Sequence, residues 1–405
     1  MMGRPLEGIK VIEAAMWAFV PVAGAMLSDF GAEVIKVEPI TGDPIRGLRS
    51  APGAKGAEAI ELSWECYNRG KKSITLDLKT SEGQAVLMRL LEDADVFLTN
   101  FLPRARKKLN IDAGTLRARF PKLIYAVGSA VGQRGPEGDK GGYDAIAYWA
   151  RGGISSALTE PDAEYPVSPA GPAHGDTLSG SMLAGGICAA IAKRALTGEA
   201  STVDVSLLNA AMWSMQRGIA QTMIDGIDNF PRPPRGRPNN VLSYNYRTSD
   251  GRFLALCMLQ ADKYWAPLCH LVGRPDMADD PRFATAAARR DNNDACLGEM
   301  TAIFASKTLD EWRVILAQQD GQWDVVQHIG ELHKDVQVVA NEYIQTVRCT
   351  GGIDIPVVSV PVQIDGLPMP VGVSPDVGAH SDELLSAAGY SEDEIIDLKV
   401  KGVVF

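Results

Sequence analysis

The chain has 405 residues, 46% of them hydrophobic and 22% charged, with a formal net charge of −10. That length implies two domains or one large domain with an insertion, and a core of that size needs no covalent staple. The negative balance argues against wholesale nucleic-acid binding, and no apolar run reaches the length of a membrane span.

Strand and helix signals alternate from the start. Residues 8–15 read as a buried strand, 21–30 as a helix closed by Gly31, a residue suited to C′, and 34–38 as the next strand. A strand–helix–strand unit requires parallel pairing. The pattern continues with a strand at 73–78, a helix at 82–93 after Thr80 and Ser81, and a strand at 96–100. A further helix and a strand at 123–128 follow. The predicted class is therefore α/β, a doubly wound, mostly parallel, Rossmann-like sheet. No G-x-G-x-x-G turn is present, so the nicotinamide fingerprint is absent.

Residues 177–196 and 205–225 read as two long helices, with 202–205 between them. Four prolines then fall within 231–238, which no helix interior tolerates. The reading places the N-terminal part of a large domain at 1–225, a linker at 226–240 and a smaller α+β domain at 241–330. In that domain, 244–248 and 252–258 flank Ser249-Asp250-Gly251, a hairpin signal, and Thr308 with Glu311 forms a capping box. Residues 356–364 read as a late strand, and 380–405 as helix followed by a short extended end.

Six cysteines, at 66, 188, 257, 269, 296 and 349, form no C-x-x-C pair. Cys257 and Cys269 lack partner histidines, so no metal site is expected. With no leader pattern, reduced thiols in the cytoplasm are expected. His270, His328 and His333 read as surface or capping residues, and His380 as either a structural hydrogen-bonding residue or a ligand contact.

The most informative stretch runs from His174 to Arg194. Its small, apolar residues surround the helix on every side, which implies burial. Asp176 sits at its mouth. Aspartate there is a good N-cap, yet a buried-edge carboxylate also serves as a nucleophile.

Seven segments in order carry a family resemblance. They are 5–13 (PLEGIKVIE), 27–39 (LSDFGAEVIKVEP) with Gly42-Asp43-Pro44, and 68–79 (NRGKKSITLDLK). Then come 95–101 (DVFLTNF), 132–136 (GQRGP) with Gly142-Tyr143-Asp144, and Gly-Asp-x-x-Ser-Gly at 175–180. His380-Ser381-Asp382-Glu383 and Gly389-Tyr390-Ser391 close the series. The chain resembles the class III CoA-transferases, which include formyl-CoA transferase, carnitine CoA-transferase relatives and α-methylacyl-CoA racemases.

The resemblance implies a return of 331–405 to the large domain and an interlocked homodimer. It implies no tightly bound cofactor, with acyl-CoA and a small carboxylic acid as substrates. Asp176 is the implied nucleophile, forming an anhydride and then an aspartyl-CoA thioester, and the helix N-terminus behind it should favour the anion. Implied CoA contacts are Lys36, Lys71, Lys72, Asn100, Phe101, Arg104 and Lys108, and Arg104, Arg106, Lys107 and Lys108 form a basic cluster suited to the CoA phosphates. Implied substrate contacts are Trp17, Ala18, Phe19, Gly142 and Tyr143.

The chain departs from formyl-CoA transferase at several points. Pro39 replaces an adenine-side arginine and Ala18 a glutamine, and no four-glycine run occurs between 230 and 330. Gly175, Gly141 and Gly142 are substitute sources of oxyanion N–H groups. The bulky apolar loop at 15–21 disfavours oxalate and suits a more hydrophobic acyl group. A racemase needs two general bases, and Tyr143 stands where that branch has histidine. Transferase therefore ranks first, racemase second, and an inactive CoA-binding protein third.

Overall fold

A computed structural model describes residues 3–48, 60–229 and 236–405. The chain forms two compact units, Met1–Asn229 with Val336–Phe405, and Phe230–Asp335. Residues 231–235 of the proline-rich stretch lie outside the described residues.

The first unit is built on six strands: β1 Lys10–Ala14, β2 Glu33–Glu38, β3 Lys72–Thr75, β4 Val96–Thr99, β5 Ile124–Ser129 and β6 Thr202–Ser206. Their order is β3-β2-β1-β4-β5-β6, and every neighbouring pair is parallel. The expected doubly wound α/β class is what the structure shows. Ile12 faces Ile35 on one side and Phe97 on the other.

Alternation along the strands divides the core between the two faces of the sheet. Val11, Val34, Leu98 and Ala126 pack with Phe19, Val20, Leu183 and Ile187 on one face. Ile12, Ile35, Phe97 and Tyr125 pack with Leu87, Leu116 and Leu385 on the other. The C-terminal helices Ser381–Ala387 and Glu392–Val400 belong to this second face. His380 docks them: its Nδ1 accepts from the Ser73 N–H at 3.2 Å.

The helix His174–Thr197 packs closely on Phe19–Asp29 because small residues meet there. A Cβ at Gly180 would stand 2.6 Å from the Phe19 carbonyl oxygen. This helix begins three residues before the predicted 177. Its N-cap is Ala173, in the left-handed region at φ 57° and with no side-chain cap. Asp176 is therefore a first-turn residue and not the N-cap. The predicted 205–225 helix is divided: Ser206 ends β6 and caps Leu207–Ser214, and a break at Met215 precedes Gln216–Asp225. The late strand at 356–364 is also divided, into Asp354–Val358 and Gln363–Ile364.

The second unit holds a three-stranded antiparallel sheet, Asn245–Arg247, Phe253–Leu256 and Trp323–Val325. Its helices bury Trp265, Phe283, Phe304 and Trp312 against it. The capping box at Thr308 and Glu311 is formed. Among the described residues no helix is long and apolar enough to cross a membrane.

Candidate active site

In an open parallel sheet, ligands bind outside the C-terminal ends of the strands where the order reverses. Here that switch lies between β1 and β4, and the loops leaving those two strands meet. Asn100 ties them. Its Oδ1 accepts from the Met16 N–H at 3.1 Å, and its Nδ2 donates to the Met16 carbonyl at 2.6 Å.

The next residue, Trp17, adopts φ 69°. That region costs a residue with a Cβ about 1–2 kcal/mol, so surrounding contacts must hold it there. Asp43 supplies one: its Oδ1 accepts from the Trp17 N–H at 3.1 Å. Asp43 is itself fixed by Lys36, 2.9 Å away, which also reaches Glu13 at 3.0 Å and donates to the Ala15 carbonyl at 2.9 Å.

Lys71 completes the network, 2.8 Å from the second Glu13 oxygen and within 2.9 Å of the Pro21 carbonyl. The four charged side chains of this network are fully buried. Burial opposes the charge on Lys36, but Glu13 and Asp43 outweigh it and hold its pKa above the ordinary value. At Lys71 burial prevails and pulls the pKa down to about 8.

A cavity of about 610 Å³ opens at the switch. Met16, Trp17 and Phe19 line it from the β1 loop, and Asn100, Phe101, Arg104 and Arg106 from the β4 loop and the helix Pro103–Lys108. Lys140, Gly142 and Tyr143 line it from the glycine-rich segment after β5, and Asp176 completes it. The Trp17 and Tyr143 rings meet edge to face, with centroids 5.5 Å apart.

Asp176 has unusual surroundings for a first-turn carboxylate. Asp144 Oδ1 accepts from the Gly175 N–H at 3.2 Å, so a neighbouring carboxylate takes one of the helix's free donors. A π-helical turn, Ala145–Ala150, follows Asp144 and brings Tyr148 against the same glycine. A Cβ at Gly175 would lie 2.3 Å from both Asp144 Oδ1 and a Tyr148 ring carbon. Burial, and then the Asp144 charge, raise the Asp176 pKa to about 7. The expected stabilisation of the anion by the helix end is thus outweighed by desolvation and like charge.

The cavity brings together Trp17, Phe19, Asn100, Phe101, Arg104, Gly142, Tyr143 and Asp176. It does not include Ala18, which packs with Ile45 and Trp64, nor Lys108 at the exposed end of its helix. Lys36 and Lys71 are engaged inside the fold. Lys72 pairs on the surface with Glu33 at 2.9 Å and Glu383 at 2.7 Å. These lysines answer carboxylates of the chain itself, which a local reading of basic residues does not reveal. Lys140 also lines the cavity, and nothing in the sequence had marked it as a site residue. Arg106 stood in the basic run at 104–108, but only its docking shows that it turns inward.

A family model described as CoA-transferase family III matches residues 6–381. The chain is 32% identical to (R)-2-hydroxy-4-methylpentanoate CoA-transferase of Clostridioides difficile, over 98% of this chain and 99% of that one. It is 32% identical to cinnamoyl-CoA:phenyllactate CoA-transferase of Clostridium sporogenes, over 97% and 95%. Among solved structures, an aspartate-to-alanine variant of Rv3272 from Mycobacterium tuberculosis superposes with a TM-score of 0.80. It is 29% identical and covers 95% of this chain and 99% of its own.

Proposed function

The chain belongs to CoA-transferase family III, and we propose that it moves CoA from an acyl-CoA thioester to a carboxylic acid with Asp176 as covalent nucleophile. The observation that carries this reading is the Asp176 carboxylate facing a cavity that also presents Arg104, Arg106 and Lys140. Cations suit the phosphates of CoA, and a carboxylate is the one side chain the covalent chemistry requires.

An Asp176 oxygen attacks the thioester carbonyl, the C–S bond breaks, and CoA thiolate leaves a mixed anhydride behind. The thiolate then attacks the Asp176 acyl carbon, releasing the first acid and forming an aspartyl-CoA thioester. A second carboxylate attacks that thioester, again freeing thiolate and forming an anhydride. Thiolate attack on the substrate carbon yields the new acyl-CoA and restores Asp176. No redox partner is needed, and protons balance throughout. Backbone N–H groups of the glycine-rich segment at 138–142 are the proposed oxyanion donors.

Trp17, Phe19 and Tyr143 support an apolar acyl group, branched or aromatic. The two relatives named above act on acids of that kind by their names. Trp213, Met223 and Ile224 are 62%, 78% and 81% exposed on the helices after β6, which supports a homodimer. The second reading, α-methylacyl-CoA racemase, would use the neighbouring carboxylates Asp144 and Asp176, but it lacks a histidine at 143.

The test supplies a panel of acyl-CoA donors and carboxylic acids and follows new thioesters by chromatography. Transfer that falls about a thousandfold or more in Asp176→Ala supports the reading. Deuterium uptake at the acyl α-carbon without transfer would establish the racemase instead.

A further inference from the structure

Arg106 is the one buried residue of the helix Pro103–Lys108, only 5% exposed, and it lines the cavity. Its hydrogen-bond partners are neutral. Nη1 donates to the Tyr125 hydroxyl at 3.3 Å, and Nη2 donates to Gln133 Oε1. The Tyr125 hydroxyl in turn donates to the Ile111 carbonyl at 2.9 Å. Arg106 Nε is buried without any partner among the described residues.

The other two cavity cations differ. Arg104 and Lys140 are exposed and have carboxylates of their own, Asp139 at 3.7 Å and Glu137 at 2.7 Å. No carboxylate of the described residues forms an ion pair with Arg106. A desolvated guanidinium answered only by a hydroxyl and an amide keeps most of its burial cost. An anion arriving from the cavity would remove it.

We propose that Arg106 is an anion subsite of this cavity and receives an anionic oxygen group of the thioester substrate. Its planar fork suits a phosphate and a carboxylate alike, so the group is either the diphosphate of CoA or a carboxylate on the acyl portion. This rests on the transferase reading, and it concerns binding alone, with no bond made or broken at Arg106.

The test compares the full-length protein with Arg106→Gln and Arg106→Lys, after confirming equal melting temperatures. Dissociation constants are measured by calorimetry for CoA, succinyl-pantetheine and butyryl-pantetheine. Loss of a charged hydrogen bond predicts about tenfold or more weaker binding in Arg106→Gln, with partial recovery in Arg106→Lys. Weakening confined to CoA assigns the diphosphate, and weakening confined to succinyl-pantetheine assigns the carboxylate. Equal weakening of all three ligands, the neutral thioester included, would make Arg106 a staple for the Gln133 loop and overturn the proposal. Changes under about twofold throughout would overturn it as well. Because binding is read directly, its failure stays separate from any failure of the transfer assay on the unaltered protein.

Discussion

Asp144 accepts a hydrogen bond from the backbone N–H of Gly175, 3.2 Å away, one residue before Asp176. The two carboxylates therefore share one helix terminus, and the Asp144 charge opposes ionisation of Asp176. Asp144 is itself raised above the ordinary aspartate value, by burial first, against the pull of the Gly175 N–H and His174. The pair should titrate as a unit, with apparent values belonging to both groups.

Asp144→Asn keeps an acceptor for Gly175 but removes the charge. With a nucleophile poised near pH 7, kcat/KM of the unaltered protein should rise with pH and level off above neutrality. In Asp144→Asn the rise should move to lower pH. An unmoved profile would show that the Asp144 charge does not reach Asp176.

Stability should respond at the same site. The folded protein holds the Asp176 proton up to about pH 7, whereas the ordinary value is 3.8. Folded protein therefore binds more protons in that window, and stability falls as pH rises through it. The penalty is absent below about pH 4 and complete above about pH 7, where it amounts to about 4 kcal/mol. Asp176→Asn cannot ionise, so its melting temperature should gain on that of the unaltered protein between pH 5 and pH 8. Parallel curves would contradict the assignment.

Trp17 combines a cavity-facing ring with a left-handed backbone at φ 69°. Both Trp17→Ala and Trp17→Gly remove the ring, but only glycine relieves the backbone. The glycine variant should therefore be the more stable by about 1 kcal/mol in denaturant unfolding. Both should lose about tenfold in kcat/KM for branched or aromatic acyl-CoA while retaining acetyl-CoA turnover.

Gly175→Ala places a methyl group 2.3 Å from Asp144 Oδ1 and from the Tyr148 ring. Overpacking of this kind costs about 1–3 kcal/mol, and relief requires the Asp144 carboxylate or the Tyr148 ring to move. Stability and kcat should both fall, and the fall in kcat should be smaller when Asp144 is also changed to alanine.

The sheet was legible because alternating buried strands and capped helices impose parallel order locally, from Lys10 to Ser129. That Asp176 opens a small-residue helix could be read locally, from its motif and the run behind it. Lys36 and Lys71 were not, because their partner Glu13 lies 23 and 58 positions away in sequence and only tertiary packing joins them. Arg106 could not be told apart from its basic neighbours at 104–108, because which face of a six-residue helix turns inward depends on its docking against Tyr125. The break at Met215 carries no proline or glycine to announce it.

Covalent catalysis by Asp176 would pass through acyl intermediates that hydroxylamine can trap. The protein is incubated with acyl-CoA donors, quenched with hydroxylamine, digested and mapped by mass spectrometry. A hydroxamate should form on Asp176, require acyl-CoA, and be absent from Asp176→Ala. A protein that turns over CoA thioesters yet yields no adduct there, or yields one at another carboxylate, would contradict covalent catalysis by Asp176.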